Sequence, residues 1–150
     1  MKKFKFRLAT LQRLRESLRD ERRGQLAEAY RADEILREQE ARLEQEQADM
    51  AAVLREASGP GEVEVDRLMA DHRYVLLLGA QRQYLGQQRQ AVAQEIERRR
   101  QLLIEADRDV RVLANLKERQ RQRHRDEENR QEIKQLDEVA QRRAVEEDVP

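Results

Sequence analysis

Apolar residues recur along this chain at seven-residue spacing, in two long stretches. In the first, Leu8, Arg15, Arg22, Ala29, Leu36, Leu43, Met50 and Ala57 take heptad position a. Phe4, Leu11, Leu18, Gln25, Ala32, Gln39, Glu46 and Val53 take position d. Six of eight a and five of eight d positions are apolar, and the surface between them is polar. Such a narrow apolar stripe predicts a coiled-coil helix. Leu14, Leu26, Ile35 and Leu54 flank it. In the second stretch, Leu68, Val75, Arg82, Arg89, Ile96, Leu103, Val110 and Lys117 sit at a, and Asp71, Leu78, Leu85, Val92, Arg99, Ala106 and Leu113 at d. Nine of the twelve core positions from Val75 to Leu113 are apolar.

Between the stretches lies Ser58-Gly59-Pro60-Gly61, the one cluster of helix breakers. Proline lacks an N–H and fixes φ, while glycine reaches φ > 0, so the chain can reverse there. The expected fold is all-α: a long antiparallel two-helix coiled-coil hairpin forming a single domain. Its helices span about 4–57 and about 63–145, with a turn at 58–62.

In an antiparallel pair the numbers of facing residues sum to a constant. A turn centred between Pro60 and Gly61 sets the expected sum at 121, which opposes each a residue to a d residue of the other arm. Leu11 then faces Val110, Ala29 faces Val92 and Leu43 faces Leu78. The same register puts four awkward pairs in the core: Arg22 with Arg99, Ala32 with Arg89, Gln39 with Arg82 and Met50 with Asp71. It also sets Phe4 opposite Lys117, beyond which no residue is apolar until Ile133. A C-terminal single-helix overhang is therefore expected after about residue 117. Ile133, Leu136, Val139 and Ala140 form a last apolar group on it, out of phase with the earlier heptads. The tail from Glu146 to Pro150 is expected to fray. Gly79 and Gly86 lie inside the second helix, at about 1 kcal/mol each relative to alanine; they mark either a close approach by a partner or a soft spot.

Composition narrows the function. Of 150 residues 41% are charged and 3% aromatic, with no Trp and no Cys. That leaves no disulfide framework and no thiolate, and suits a reducing cytosol. No apolar run is long enough to span a bilayer, and the basic start lacks the apolar segment of a signal peptide. His72 and His124 are the only histidines, and His124 lies in a solvated run. There is no metal-ligand spacing, phosphate-cradling loop or nucleophile elbow, so neither an enzyme nor a bound cofactor or metal is expected.

Net charge is zero but unevenly distributed. Residues 1–23 hold nine Lys/Arg against three Asp/Glu, and residues 98–125 ten against four. Residues 28–66 hold four against twelve, and residues 126–150 four against nine. The hairpin would thus have a basic end and an acidic turn, suited to entering a complementary site end-on. Scarce aromatic residues and zero net charge argue against a nucleic-acid partner.

The opening Phe4-Lys5-Phe6-Arg7-Leu8-Ala9-Thr10-Leu11-Gln12-Arg13-Leu14-Arg15-Glu16 resembles that of the flagellar export protein FliJ family. Leu136-Asp137-Glu138-Val139-Ala140-Gln141-Arg142 resembles that family's closing segment, and Leu116-Lys117-Glu118-Arg119-Gln120 also fits. The resemblance implies a stalk-like coiled coil of the flagellar type III export apparatus. Such a protein is a monomer when free and cytoplasmic, peripherally associated with the membrane at the flagellar base but not inserted in it. Its partners would be the hexameric export ATPase, an export-gate membrane protein and export chaperones. Phe4, Arg7, Leu8, Leu11 and Arg15, with Leu136, Asp137, Gln141 and Arg142, would belong to the ATPase-facing end. Tyr74 and Leu78 match aromatic and leucine positions of the gate contact, whereas Gln81 and Leu85 depart from the family pattern there. The alternatives are the stalk of a virulence secretion system, with similar physics, and a passive structural coiled coil, whose seam would continue to the end without a bare overhang.

Overall fold

The computed structural model describes residues 3–147, with side chains through residue 144. Two helices account for nearly all of it: α1, Ala9–Ala57, and α2, Val65–Glu147. They pack against each other as an antiparallel hairpin. Helix α1 starts at Ala9 instead of near residue 4. Lys3, Lys5 and Arg7 alternate with Phe4, Phe6 and Leu8, a period of two, and cations are unfavourable at the positive end of a helix dipole. No Ser, Thr, Asp or Asn precedes Ala9 to cap the helix.

At its other end α1 stops where Ser58 Oγ donates to the Leu54 carbonyl at 2.7 Å. Gly61 then adopts φ 144°, a conformation that side-chain-bearing residues rarely take. Acidic Asp66 in the first turn of α2 suits the positive end of that helix. The tail residues Asp148, Val149 and Pro150 lie outside the described residues.

The chain falls into two compact units: residues 21–103, which include the turn, and residues 1–20 with 104–150. In the unit Glu21–Leu103, the covered positions of α2 are the expected ones: Leu68, Asp71, Val75, Leu78, Arg82, Leu85, Arg89, Val92, Ile96, Arg99 and Leu103. On α1 the seam is Arg22, Leu26, Ala29, Asp33, Leu36, Glu40, Leu43, Gln47, Met50 and Leu54. The expected a residues are there. Their companions are one position further on than the expected d set, and Ala32, Gln39 and Val53 are exposed.

This changes the register. Facing residues sum to 125, four residues away from the expected 121. Ala29 is now level with Ile96, both buried, and Gln47 with Leu78. The physical reason lies in the arginines of α2. In this register Arg82, Arg89 and Arg99 are level with Leu43, Leu36 and Leu26, and their guanidinium groups reach polar residues in adjacent layers. Arg89 lies 2.7 Å from Glu40 and 3.3 Å from Asp33. Arg82 donates to Gln47 at 2.8 Å and lies 3.6 Å from Glu44. Arg99 donates to the Gln25 carbonyl and lies 2.7 Å from Glu95. A sum of 121 would instead set Arg22 against Arg99. Relieving like charge and pairing half-buried guanidinium groups outweighs two extra apolar side chains in the seam.

One polar atom remains unmatched in each of two seam residues, Asp71 Oδ2 and Arg82 Nε. A Cβ on Gly86 would meet nothing within 4 Å, and one on Gly79 only the end of Gln47 at 3.7 Å. Neither glycine marks a close approach between the two helices.

In the other unit, Ala106, Val110 and Leu113 are buried and Gln12, Arg15 and Arg19 are half-buried, again level at a sum of 125. Arg15 Nη1 lies 3.0 Å from Asp109 Oδ2. Residues 3–6 lie outside any helix and Arg7 and Leu8 form a turn. Non-helical backbone can advance up to about 3.3 Å per residue against 1.5 Å in a helix, so the segment can reach further along α2 than a helix would. The Phe4 ring meets the His124 imidazole edge-on, centroids 5.8 Å apart. The expected pairing of Phe4 with Lys117 is thus replaced by one seven residues further on. Lys117, Gln120, His124 and Glu128 are half-buried, and every residue from Arg130 to Ala144 is exposed although helical. The bare helix begins after Glu128, about eleven residues later than expected.

Candidate partner-binding regions

In the unit formed by the chain ends, the expected contact residues form two groups. Phe4 is half-buried on His124; Arg7 is exposed; Leu8 and Leu11 are each 37% exposed; Arg15 is held by Asp109. Leu136, Asp137, Gln141 and Arg142 are all exposed on the bare part of α2. Leu136 lies twelve residues beyond His124, about 18 Å along the helix, so the N-terminal and C-terminal groups do not touch. Ile133, Leu136 and Val139 are 58%, 69% and 48% exposed. Three large aliphatic side chains on a solvated single helix form an apolar stripe without a cover among the described residues.

His124 is the residue that sequence reasoning set aside. It is no member of a solvated run: besides Phe4, its Nδ1 lies 3.4 Å from Glu128 Oε2. Two signals in the sequence pointed to it. The heptads of α2 continue in phase through Lys117, Gln120 and His124, and the Lys-Phe-Lys-Phe alternation denotes an extended strand-like segment.

In the unit Glu21–Leu103, Leu78 is 1% exposed and packs wholly within the seam, and Leu85 is 8% exposed. Tyr74 is 38% exposed at the edge. Its hydroxyl donates to Glu46 Oε1, and that hydrogen bond, followed by desolvation, raises the phenol above its ordinary value. Next to it runs an open groove of about 630 Å³ lined by Gln39, Arg42, Leu43, Glu46, Ala80, Gln81, Tyr84 and Leu85. A second of about 450 Å³ follows, lined by Ala32, Ile35, Leu36, Gln88, Ala91 and Val92. The edges of seam residues Leu43 and Leu85 line the first groove together with Ala80 and Tyr84, and those of Leu36 and Val92 line the second together with Ala32, Ile35 and Ala91, which stay outside the seam. Tyr74, Leu76, Leu77 and Tyr84 are the exposed large side chains of this stretch, whereas Leu78 is buried.

Elsewhere in this unit, Glu95 bridges Arg98 and Arg99 at 2.7 Å each. Hydrogen bonds from Arg98 and then Arg99 hold its carboxyl at about 2, well below the usual carboxylate range. The described residues contain no group of His, Cys, Asp or Glu able to hold a metal ion, and no helix long and apolar enough to cross a membrane.

The model of the flagellar FliJ protein family matches residues 4–148, nearly the whole chain. The chain belongs to the flagellar FliJ family. Its biological setting is therefore flagellar protein export. No curated protein and no solved structure matches the chain. Both FliJ-like terminal segments lie in the unit of residues 1–20 with 104–150, and the Tyr74 region lies in the other.

Proposed function

We propose that this FliJ-family chain is a non-enzymatic, central-stalk-like component of the flagellar type III export apparatus. It enters the hexameric export ATPase with the ends of the chain, promotes assembly and turnover of that ring, and links it to the export gate and to export chaperones. The observation that carries the reading is the bare helix after Glu128 with its exposed stripe Ile133, Leu136 and Val139. A highly charged helix without a neighbour is marginal in water and gains most from a partner that surrounds it. Such a stripe has no role in a passive coiled coil, whose apolar seam would continue to its end. The family match favours the flagellar over the virulence export system.

Contact with the gate is assigned to Tyr74 and its exposed neighbours, with buried Leu78 acting only through packing. The protein works in the cytoplasm, at the inner face of the membrane under the flagellar base. Deleting the gene in its own host is expected to stop export of flagellar subunits and motility. A version with Leu136→Asp and Val139→Asp should fold and fail to restore either. Full restoration by that version would overturn the assignment of the stripe.

A further inference from the structure

The segment before Ala9 combines two opposing tendencies. Phe4 and Phe6 are the only phenylalanines in the chain, and both are half-buried. Phe4 reaches His124, which Glu128 holds from the other side. The backbone adds little: Phe6 accepts one hydrogen bond, from Ala9 N–H at 3.3 Å. Against this, Lys3, Lys5 and Arg7 have no carboxylate partner among the described residues, and neither do Lys117, Arg119, Arg123 and Arg125 of the α2 stretch that the segment covers. Arg121 has only Glu118, at 3.9 Å. Aromatic contact pulls the segment onto α2 and like charge pushes it off.

We infer that residues 3–8 form a strap that closes on α2 when the surrounding cations are screened or neutralised, and opens when they are not. Docking through one edge-on ring pair is weak beyond the area it buries. Repulsion among these eight cations, offset in part by Glu118, Asp126, Glu127 and Glu128 of the same stretch, acts over a Debye length of about 30 Å at 10 mM salt and about 3 Å at 1 M, so it matters at low salt and is negligible at high salt. Opening adds Lys117, Gln120 and His124 to the bare part of α2 and frees Phe4 and Phe6 for another surface. An anionic site around this region would close the strap as it binds. The inference does not depend on the function proposed above.

The test follows the ring-current shift of the His124 imidazole and its NOE to the Phe4 ring in the full-length protein at constant pH 8. The variant Phe4→Ala supplies the undocked reference. Raising sodium chloride from 10 mM to 500 mM is expected to at least double both signals. The variant Lys3→Glu/Lys5→Glu should show the high-salt values at 10 mM. Signals that are equal at both salt concentrations, or that fall as salt rises, would overturn the strap.

Discussion

The guanidinium of Arg89 lies 3.3 Å from the Asp33 carboxylate, and both residues occupy the seam between two helices. Asp33 is only 14% exposed, and Glu40 completes the clamp at 2.7 Å. Removing the guanidinium takes one partner from Asp33 and one from Glu40, while Asp33 keeps Arg37 at 3.0 Å. Arg89→Leu is therefore expected to lower the urea midpoint although it restores an apolar layer. Asp33→Ala is expected to cost less in that background than in the unaltered chain. Urea unfolding of both single variants and the double variant measures the coupling; additive effects would contradict the clamp.

The same arginines fix the register, which crosslinking can read directly. Ala29→Cys with Ile96→Cys should crosslink within one molecule far faster than Ala29→Cys with Val92→Cys. Mass spectrometry of the monomer band after brief treatment with a short bismaleimide gives the two rates. A faster Val92 pair would restore the sum of 121.

These two predictions bear on how far the sequence could be read. Two helices, the reversal at Ser58-Gly59-Pro60-Gly61 and every seam position of α2 follow from heptad spacing. The register does not, because α1 carries apolar residues on three heptad positions. Counting them favours Ala32 and Val53, while Asp33, Glu40 and Gln47 look like surface. Only the arginines of α2, paired across the interface, bring those polar residues in. For the same reason the groove beside Leu43 and Tyr84 was invisible: it forms where the seam residues Leu43 and Leu85 meet Ala80 and Tyr84 at its edge, which depends on the register. Of the candidate site, the exposed group Ile133, Leu136 and Val139 was legible as an apolar cluster on a helix that has outrun its partner arm. The neighbour of Phe4 was not, because the non-helical backbone before Ala9 outruns a helical count.

Gly86 sits in open space within a continuous helix. Gly86→Ala is expected to stabilise the protein by about 1 kcal/mol, raising Tm by several degrees in a thermal melt. A lower Tm would mean that something approaches this face.

Glu95 gives a pH signature. Its carboxyl titrates at about 2 in the folded chain because Arg98 and Arg99 stabilise the anion. A depressed carboxylate favours the folded state above its ordinary value of 4.5, and that contribution fades as pH falls toward 2. Since the pair is at the surface, the effect on stability is small. Carbon-detected NMR of the Glu95 carboxyl should show the low midpoint, and Arg98→Ala/Arg99→Ala should return it toward the ordinary value. A midpoint near 4.5 in the unaltered chain would contradict the bridge.

The proposed stalk role rests on the bare part of α2, and the rate of ATP hydrolysis by the cognate export ATPase tests it most directly. That rate should be measured with the full-length chain and with a version ending at Glu128, which keeps the Phe4–His124 contact and the whole two-helix seam. Stimulation by the full chain and none by the shortened one is the predicted result. Equal stimulation by both, or none by a folded full-length protein, would contradict it.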